Sequence, residues 1–302
     1  MDTNTRANLA ATAAQARLLG LEMVYSAASG HLGGSFSAMD ILTLLYQREL
    51  RVDPARPGDP DRDRFVLSKG HCTPALYPTL ALRGYFPTAE LGQFRAIGGH
   101  MSGHAEMHHV KGVDMSTGSL GQGISAAVGM ALAGKLDGKD YRVYALLGDG
   151  ELDEGQVWEA AMSAAKYRLD NLCAIVDVNG LQIDGPTDQV MPTEPLDQKF
   201  AAFGWHVAAC DGHDFDSIDA ALAAARAEKG RPTVILARTV KGKGVSFMEN
   251  SAGWHGKAPN AEQYQQARSE LAAQVETLGR QAGWSGDRLS AALTGIPNKE
   301  GN

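Results

Sequence analysis

The sequence has few cysteines, and their spacing excludes a disulfide framework. Among 302 residues only Cys72, Cys173 and Cys210 are cysteine, and no two of them form a CxxC pair. An odd number of widely separated cysteines is typical of a protein in a reducing compartment. We therefore expect buried or incidental thiols.

Long apolar runs and an excess of basic charge are also missing. No apolar run approaches the roughly 20 residues that span a bilayer. The N-terminus, MDTNTRANLAATAAQARLLGLEM, lacks the basic, apolar and small-residue succession of a secretory signal. The 28 Lys and Arg residues are scattered among 35 Asp and Glu residues, which gives a net charge of -7 and no basic surface for nucleic acid. We expect a cytoplasmic protein that binds neither membrane nor nucleic acid.

The order of apolar segments predicts the fold class. Buried strands alternate with amphipathic helical stretches, which indicates an α/β fold: a doubly wound, mostly parallel sheet with helices on both faces. Strands are predicted at residues 65–67, 141–147, 172–178, 205–209 and 233–237, and helices at about 5–28, 38–50, 122–137, 154–168, 215–228 and 261–278. The stretches 84–118 and 181–195 have no regular apolar period, so we expect long functional loops there.

The strongest local motif is LLGDGELDEG, in which a buried strand ends at Gly148-Asp149-Gly150. This edge of an open α/β sheet is the usual ligand crevice, and the glycines let a phosphate approach the backbone. A carboxylate beside a phosphate needs a cation between them, so Asp149 is expected to bind Mg²⁺ or Ca²⁺. The next strand ends at Asn179, whose amide, with the Leu181 carbonyl, could complete the protein's ligands.

A lone GDG is also a common turn. The second strand, ending in Asn179-Gly180 at a suitable distance, favours a ligand site instead. No GxGxxG or GxxxxGK[ST] motif competes for the phosphate.

The motif GDGELDEG followed by VNGLQIDG resembles the diphosphate and metal signature of thiamine diphosphate enzymes, and the surrounding sequence resembles transketolase. The resemblance covers about residues 10–260 and continues through SGHLGGS (29–35), DRFVLSKGH (63–71), SGHAE (102–106), STGSLGQG (116–123), FGWHV (203–207), DGHD (211–214), KGKGVSFMEN (241–250) and WHGKAP (254–259). It implies a thiamine diphosphate-binding domain at 1–258, a helical tail at 259–302, and thiamine diphosphate with Mg²⁺, for which Ca²⁺ or Mn²⁺ could substitute.

The resemblance also implies roles for individual residues. The metal would be held by Asp149, Asn179 and the Leu181 carbonyl. The cofactor-binding residues would be His71, Gly118, Ser119, Leu120, Asp149, Gly150, Glu154, Asn179 and Lys241, of which Glu154 would also join a carboxylate network at a subunit contact. The catalytic histidines would be His31, His71, His104 and His255, which suit proton exchange with sugar hydroxyls near neutral pH.

Some of these residues have simpler interpretations. Lys241 alone would be read as a solvated loop lysine, and Glu154 as part of a solvated helix face. His100, His104 and His108 have the spacing of helical zinc ligands, but the nearby glycines disfavour a helix and the HExxH acid is missing. His206 and His213 are expected to serve structure or surface.

A complete transketolase is about twice as long as this chain, and its second part supplies the carboxylate that activates the aminopyrimidine and the arginines that bind the sugar phosphate. We therefore expect the N-terminal subunit of a two-subunit enzyme, with two copies of this chain and two of a separately encoded pyrimidine-binding subunit. The pair would transfer a two-carbon ketol unit from a ketose phosphate to an aldose phosphate, and this chain alone would be inactive.

Three alternatives remain open. The enzyme could serve an unusual sugar, such as apulose phosphate or a sulfosugar. The chain could instead be the diphosphate-binding subunit of a 2-oxoacid dehydrogenase, or a non-catalytic paralogue. Its polar tail leads us to expect a natural end that frays at IPNKEGN.

Overall fold

A parallel five-stranded sheet forms the centre of the protein. The computed structural model describes residues 1–296, so the predicted fraying of residues 297–302 lies outside the described residues. The main sheet has the order β1-β2-β3-β7-β6, and every neighbouring pair is parallel. The strands are β1 (Arg64–Leu67), β2 (Val143–Gly148), β3 (Leu172–Val178), β4 (Leu181–Gln182), β5 (Gly185–Pro186), β6 (His206–Asp211) and β7 (Thr233–Arg238), of which β4 and β5 form a separate small hairpin.

Helices cover both faces of the sheet, as the sequence predicts. They are α1 (Thr3–Ala27), α2 (Leu32–Leu44), α3 (Thr73–Arg83), α4 (Gln122–Leu136), α5 (Gly155–Lys166), α6 (Thr187–Val190), α7 (Leu196–Ala202), α8 (Phe215–Ala227), α9 (Ala261–Gln281) and α10 (Gly286–Thr294). Alternate residues of one strand serve opposite layers. Tyr144 and Leu146 join the core under α1, α2 and α3, whereas Ala145 and Leu147 join the core under α4 and α5.

Helix α2 begins six residues earlier than the sequence predicts. The predicted start at residue 38 treats Gly33 and Gly34 as loop, because glycine disfavours a helix interior. In the structure a Cβ on Gly33 would lie 2.9 Å from the Trp254 carbonyl oxygen. The glycine therefore lets α2 approach the 252–254 turn, and this close packing outweighs the helix propensity.

Four helices, α3, α6, α7 and α10, were not predicted as separate elements, and the four-residue α6 lies in the stretch 181–195 that was predicted as a loop. Helix α3 contains Pro74 in its first turn and Pro78 inside it, and such residues normally indicate a break. Helix α7 has only 7 residues, and α10 follows α9 after the short turn at Gly283. The three cysteines are free and buried, as predicted.

The C-terminal helices pack against the first helix. The rings of Tyr25 in α1 and Tyr264 in α9 stack with centroids 3.8 Å apart. The indole of Trp284 donates a hydrogen bond of 2.9 Å to the side chain of Asn8. None of the helices within residues 1–296 combines the length and the apolar character needed to cross a bilayer.

Candidate active site

The ends of β2 and β3 bring the two predicted motifs together. Gly148 pairs with Asp177 in the parallel register, so the residues that follow each strand meet at one edge of the sheet. Asp149 accepts hydrogen bonds from its neighbour, the Gly150 amide, at 2.9 Å and from the Gly180 amide at 2.6 Å. The predicted proximity of Asp149 and the Asn179-Gly180 turn is thus present.

The three predicted metal ligands line one cleft of about 260 Å³. The Asn179 side-chain oxygen accepts the Leu181 amide at 3.1 Å. The Leu181 carbonyl accepts a hydrogen bond of 3.1 Å from the Lys241 ammonium. A positively charged group therefore already lies against the carbonyl that the sequence assigns to a metal ion.

The cleft holds a buried carboxylate in an environment that favours a cation. Burial, together with the nearby Asp177 carboxylate, raises the pKa of Asp149 to about 6, although the amides of Gly180 and Gly150 oppose the rise. A cation bound beside Asp149 would stabilise its ionised form. Burial and the Lys69 ammonium lower the pKa of Lys241, which makes its proton easier to lose than that of a surface lysine.

The four predicted histidines form a cluster in the same cleft. The ring of His31 lies 5.1 Å from that of His71, 6.1 Å from His104 and 5.7 Å from His255, measured between centroids. The rings of His71 and His255 are 5.0 Å apart. His255 accepts a hydrogen bond from Lys241 through Nδ1 at 3.2 Å, so its proton is on Nε2.

The histidines are held neutral at physiological pH. Burial, together with the charge of Arg95, lowers the pKa of His31 to about 4. Burial and the Lys241 ammonium lower the pKa of His255 to about 3, and burial also lowers the pKa values of His71 and His104. Neutral imidazoles can accept a proton or hydrogen bond from a sugar hydroxyl, which imidazolium ions cannot do.

The loop at 118–121 forms one wall of the cleft but does not bring every predicted residue inside. Gly118 and Leu120 line the cleft, and a Cβ on Gly118 would lie 3.3 Å from the His104 ring. Ser119 is exposed and is not among the lining residues. Glu154 is exposed at the start of α5, beside Gly121 and outside the cleft.

Sequence reasoning missed a buried ion pair between Lys69, which lines the cleft, and Asp177. Lys69 donates to the Asp177 carboxylate and, at 2.9 Å, to the Gly34 carbonyl. Burial opposes the charge on Lys69, but the Asp177 carboxylate outweighs this and raises the Lys69 pKa. The charged residue inside the otherwise apolar strand LCAIVDV was the available signal, because such a residue needs a partner.

A second missed residue, Glu151, connects the 118–121 loop to β2. Its carboxylate accepts hydrogen bonds from the Gly121 amide at 3.0 Å, from the Gly148 amide at 3.1 Å and from the Ser68 hydroxyl. Ser68 in turn accepts the Ile124 amide at the start of α4. Glu151 therefore fixes the wall of the cleft relative to the strand that carries Asp149.

The residues present fit a divalent cation that carries a diphosphate. Asp149, Asn179 and Leu181 offer hard oxygen donors, which Mg²⁺ prefers. A Cβ on Gly150 would lie 2.9 Å from the Cβ of Gln182, so glycine keeps the turn after β2 in contact with the β4–β5 hairpin. The Lys241 ammonium adds a positive charge for a phosphate oxygen.

The zinc alternative requires His100, His104 and His108 on one face of a helix, and the structure has no helix at these residues. Residues 100–108 are an irregular segment with bends, a turn and an isolated bridge at Met101. His100 contacts Glu90 at 3.2 Å, whereas His104 lines the cleft. Within residues 1–296, no group of three or more His, Cys, Asp or Glu side chains is arranged to hold a metal ion.

Comparison with known proteins identifies the family. The description of the matching family is transketolase, thiamine diphosphate binding domain, and the match covers residues 9–278. The chain belongs to the transketolase family. It is 49% identical over 255 residues to the 6-deoxy-6-sulfo-D-fructose transketolase subunit SqwG of Clostridium sp. (strain MSTE9), a match that covers 84% of this chain and 93% of that protein.

A second relative and a solved structure agree with this assignment. An apulose-4-phosphate transketolase subunit from Phocaeicola vulgatus is 44% identical over 264 residues, which cover 86% of this chain and 92% of that protein. The transketolase structure from Leishmania mexicana superposes with a TM-score of 0.82 at 31% identity and covers 95% of this chain. The match covers only 45% of that longer transketolase chain, so this chain spans less than half its length.

These matches confirm three predictions made from the sequence. The fold is the α/β thiamine diphosphate-binding fold of transketolases. The cofactor class of the family is thiamine diphosphate. Among transketolases, the chain corresponds to a transferase subunit rather than to the longer single-chain form.

Proposed function

We propose that this chain is the diphosphate-binding subunit of a two-chain transketolase that moves a two-carbon ketol unit from a ketose phosphate to an aldose phosphate. The observation that carries the proposal is the placement of Asp149, Asn179 and Leu181 at one sheet edge, directly beside four neutral histidines. A metal and diphosphate site next to proton-exchanging groups suits thiamine chemistry on a polyhydroxylated substrate.

Asp149, Asn179 and the Leu181 carbonyl would hold Mg²⁺, with Ca²⁺ or Mn²⁺ as substitutes. Lys241 and His71 would contact the diphosphate, and Gly150 would let it approach the turn after β2. Gly118, Ser119 and Leu120 would lie along the cofactor, which supplies a nucleophilic carbon and stabilises the carried ketol unit. The two glycines and the oxygen donors support this arrangement.

The histidines would act on the substrate. His31 and His255 would exchange hydrogen bonds and protons with substrate hydroxyls and the acceptor aldehyde. His104 would orient the two-carbon unit. Their lowered pKa values keep these rings neutral, so each ring has a nitrogen that can accept a hydrogen bond from a substrate hydroxyl.

A second, separately encoded chain would complete the active site, with two copies of each chain in the assembly. Ile183 lies on the rim of the cleft with 63% of its surface exposed, which supports coverage of that rim by another protein surface. Glu154, exposed beside the 118–121 loop, would then face the subunit contact. The chain would divide into a thiamine diphosphate-binding domain at 1–258 and a C-terminal helical tail from residue 259, whose described residues contact α1, and we place the enzyme in the cytoplasm.

Sugar phosphates are the proposed substrates, and an unusual sugar is the second candidate. The relatives named for 6-deoxy-6-sulfo-D-fructose and for apulose 4-phosphate favour this second candidate. Both candidates require the same ketol transfer and the same residues of this chain.

Ketol transfer from xylulose 5-phosphate to ribose 5-phosphate, with thiamine diphosphate and Mg²⁺, tests the proposal. The assay compares this chain alone with the chain co-expressed with the product of the adjacent gene. We expect turnover only in the pair, with a sulfofructose phosphate and apulose 4-phosphate as further donors. Turnover by the single chain would contradict the two-chain site.

A matched pair of variants tests the metal assignment. Asp149→Asn removes the buried carboxylate, and Asp184→Asn removes an exposed one from the nearby hairpin. We expect Asp149→Asn to abolish Mg²⁺-dependent binding of thiamine diphosphate and Asp184→Asn to leave it within about twofold. Equal binding by both variants would show that Asp149 is not a ligand.

A further inference from the structure

A buried polar network lies on the other side of the loop that carries Lys241. Arg17 of α1 donates two hydrogen bonds to Asp40 of α2, at 2.9 and 2.6 Å. His213, in the turn before α8, contacts the same carboxylate through Nδ1 at 2.7 Å. The side chains of Arg17, Asp40 and His213 are only 6%, 8% and 14% exposed. None of these residues lines the active-site cleft.

The network fixes the tautomer of His213. The Val240 amide donates to His213 Nε2 at 2.9 Å, so this nitrogen must be the acceptor. The ring proton is therefore on Nδ1, where it is donated to Asp40. Arg17 and His213 both donate to Asp40, and burial, which would raise the pKa of Asp40, is outweighed so that this pKa falls to about 2. Asp40 remains a carboxylate that holds the imidazole in one orientation.

Helix α2 holds the loop at residues 240–242 through two hydrogen-bonded contacts. The Gly33 carbonyl at its start accepts the Gly242 amide at 2.9 Å. Asp40, further along the same helix, holds the Val240 amide through His213. Lys241 lies between these two attachment points, and its side chain reaches across the cleft to the Leu181 carbonyl.

We propose that His213, oriented by Asp40 and Arg17, is a positioning residue that sets the backbone of Lys241 and thereby the affinity for the diphosphate group. The inference rests on the proposed function, since it assigns Lys241 to the diphosphate. His213 touches neither cofactor nor substrate in this account. Its effect passes through the single hydrogen bond to the Val240 amide.

Three variants separate this role from general stability. His213→Phe keeps a planar ring but loses both hydrogen bonds. His213→Asn is too short to reach Val240 yet can still donate to Asp40, so Asp40 keeps a donor at position 213 as well as Arg17 if the first variant fails to fold. His206→Phe is the control, because His206 is a partly exposed histidine on β6 that contacts Glu228 and does not line the cleft.

The measurement is the Kd for thiamine diphosphate at fixed Mg²⁺ in the two-chain complex, together with kcat at saturating cofactor. Losing one hydrogen bond is expected to weaken binding roughly 3- to 10-fold in both His213 variants, with kcat retained within about twofold. His206→Phe should leave the Kd unchanged. In the chain alone, hydrogen exchange at the Val240 amide should accelerate in both His213 variants.

A double variant tests whether His213 acts through Lys241. If His213 acts through Lys241, His213→Phe combined with Lys241→Met should bind no more weakly than Lys241→Met alone. Unchanged affinity in the His213 variants, or losses that multiply in the double variant, would overturn the inference while leaving the role of Lys241 intact. Unchanged affinity in Lys241→Met itself would overturn both.

Discussion

Replacing Lys69 with methionine should destabilise the protein more than any single change at a surface charge. Methionine has a similar length but no charge, so the substitution leaves the Asp177 carboxylate without its cation. The two side chains are 3% and 0% exposed. Asp177 would keep hydrogen bonds from the hydroxyls of Ser37 and Thr239, which do not neutralise a buried negative charge.

The expected loss of unfolding free energy in Lys69→Met follows from the burial of the Lys69–Asp177 pair. Removing one partner of a buried ion pair costs about 3–5 kcal/mol, because the remaining charge is desolvated and uncompensated. Lys69 also donates to the Gly34 carbonyl of α2, and this hydrogen bond is lost as well. Lys139→Met is the matched control, since Lys139 and its partner Asp61 are 39% and 60% exposed. Exposed pairs contribute at most about 1 kcal/mol.

Urea unfolding, followed by circular dichroism and tryptophan fluorescence, measures both losses as changes in the free energy of unfolding. The double variant Lys69→Met with Asp177→Asn should recover part of the loss, because no unpaired charge remains buried. The reasoning is refuted if Lys69→Met costs no more than Lys139→Met, or if the double variant loses the sum of the two single losses.

Two further predictions concern stability. Acid should destabilise the chain. His31 and His255 have folded pKa values of about 4 and about 3 against an ordinary value of 6.5, so below about pH 6.5 the unfolded chain binds more protons than the folded chain. The free energy of unfolding therefore falls as the pH drops from about 6.5 towards 4. A urea series between pH 7.5 and 5 checks this, and His31→Asn should flatten the slope; a wild-type stability independent of pH would contradict it. Gly123→Ala should cost about 1–3 kcal/mol, because the new Cβ would lie 2.6 Å from the Ser68 backbone. Gly129→Ala in the same helix meets open space and should be neutral or stabilising by up to about 1 kcal/mol; equal thermal stability of the two variants would be the contrary result.

The parts of the site that could be predicted are those with a local signal. Asp149 and Asn179 each follow an apolar run and precede a glycine, and parallel strands end at the same sheet edge. Strand β3 was predicted with the bounds that the structure has. The four cleft histidines, by contrast, were assigned through the resemblance to transketolase.

The remaining features depend on contacts between distant segments. Lys69 and Asp177 are 108 residues apart, and nothing in either motif identifies the other as its partner. His213 was expected to serve structure or surface, but its bond to the Val240 amide appears only once the loop after β7 lies against the turn before α8. The predicted helix α2 starts too late, because helix propensity disfavours Gly33 inside a helix. The structure places a glycine there because α2 closely approaches the Trp254 carbonyl.

The most direct test of the account is a crystal structure of the two-chain complex with thiamine diphosphate and Mn²⁺, whose anomalous signal locates the metal. We predict one strong peak within about 2.0–2.4 Å of the Asp149 carboxylate, the Asn179 side-chain oxygen and the Leu181 carbonyl. Lys241 should then contact a diphosphate oxygen. A metal peak away from these three oxygens, or cofactor bound outside this cleft, would contradict the assignment of this cleft as the metal and diphosphate site.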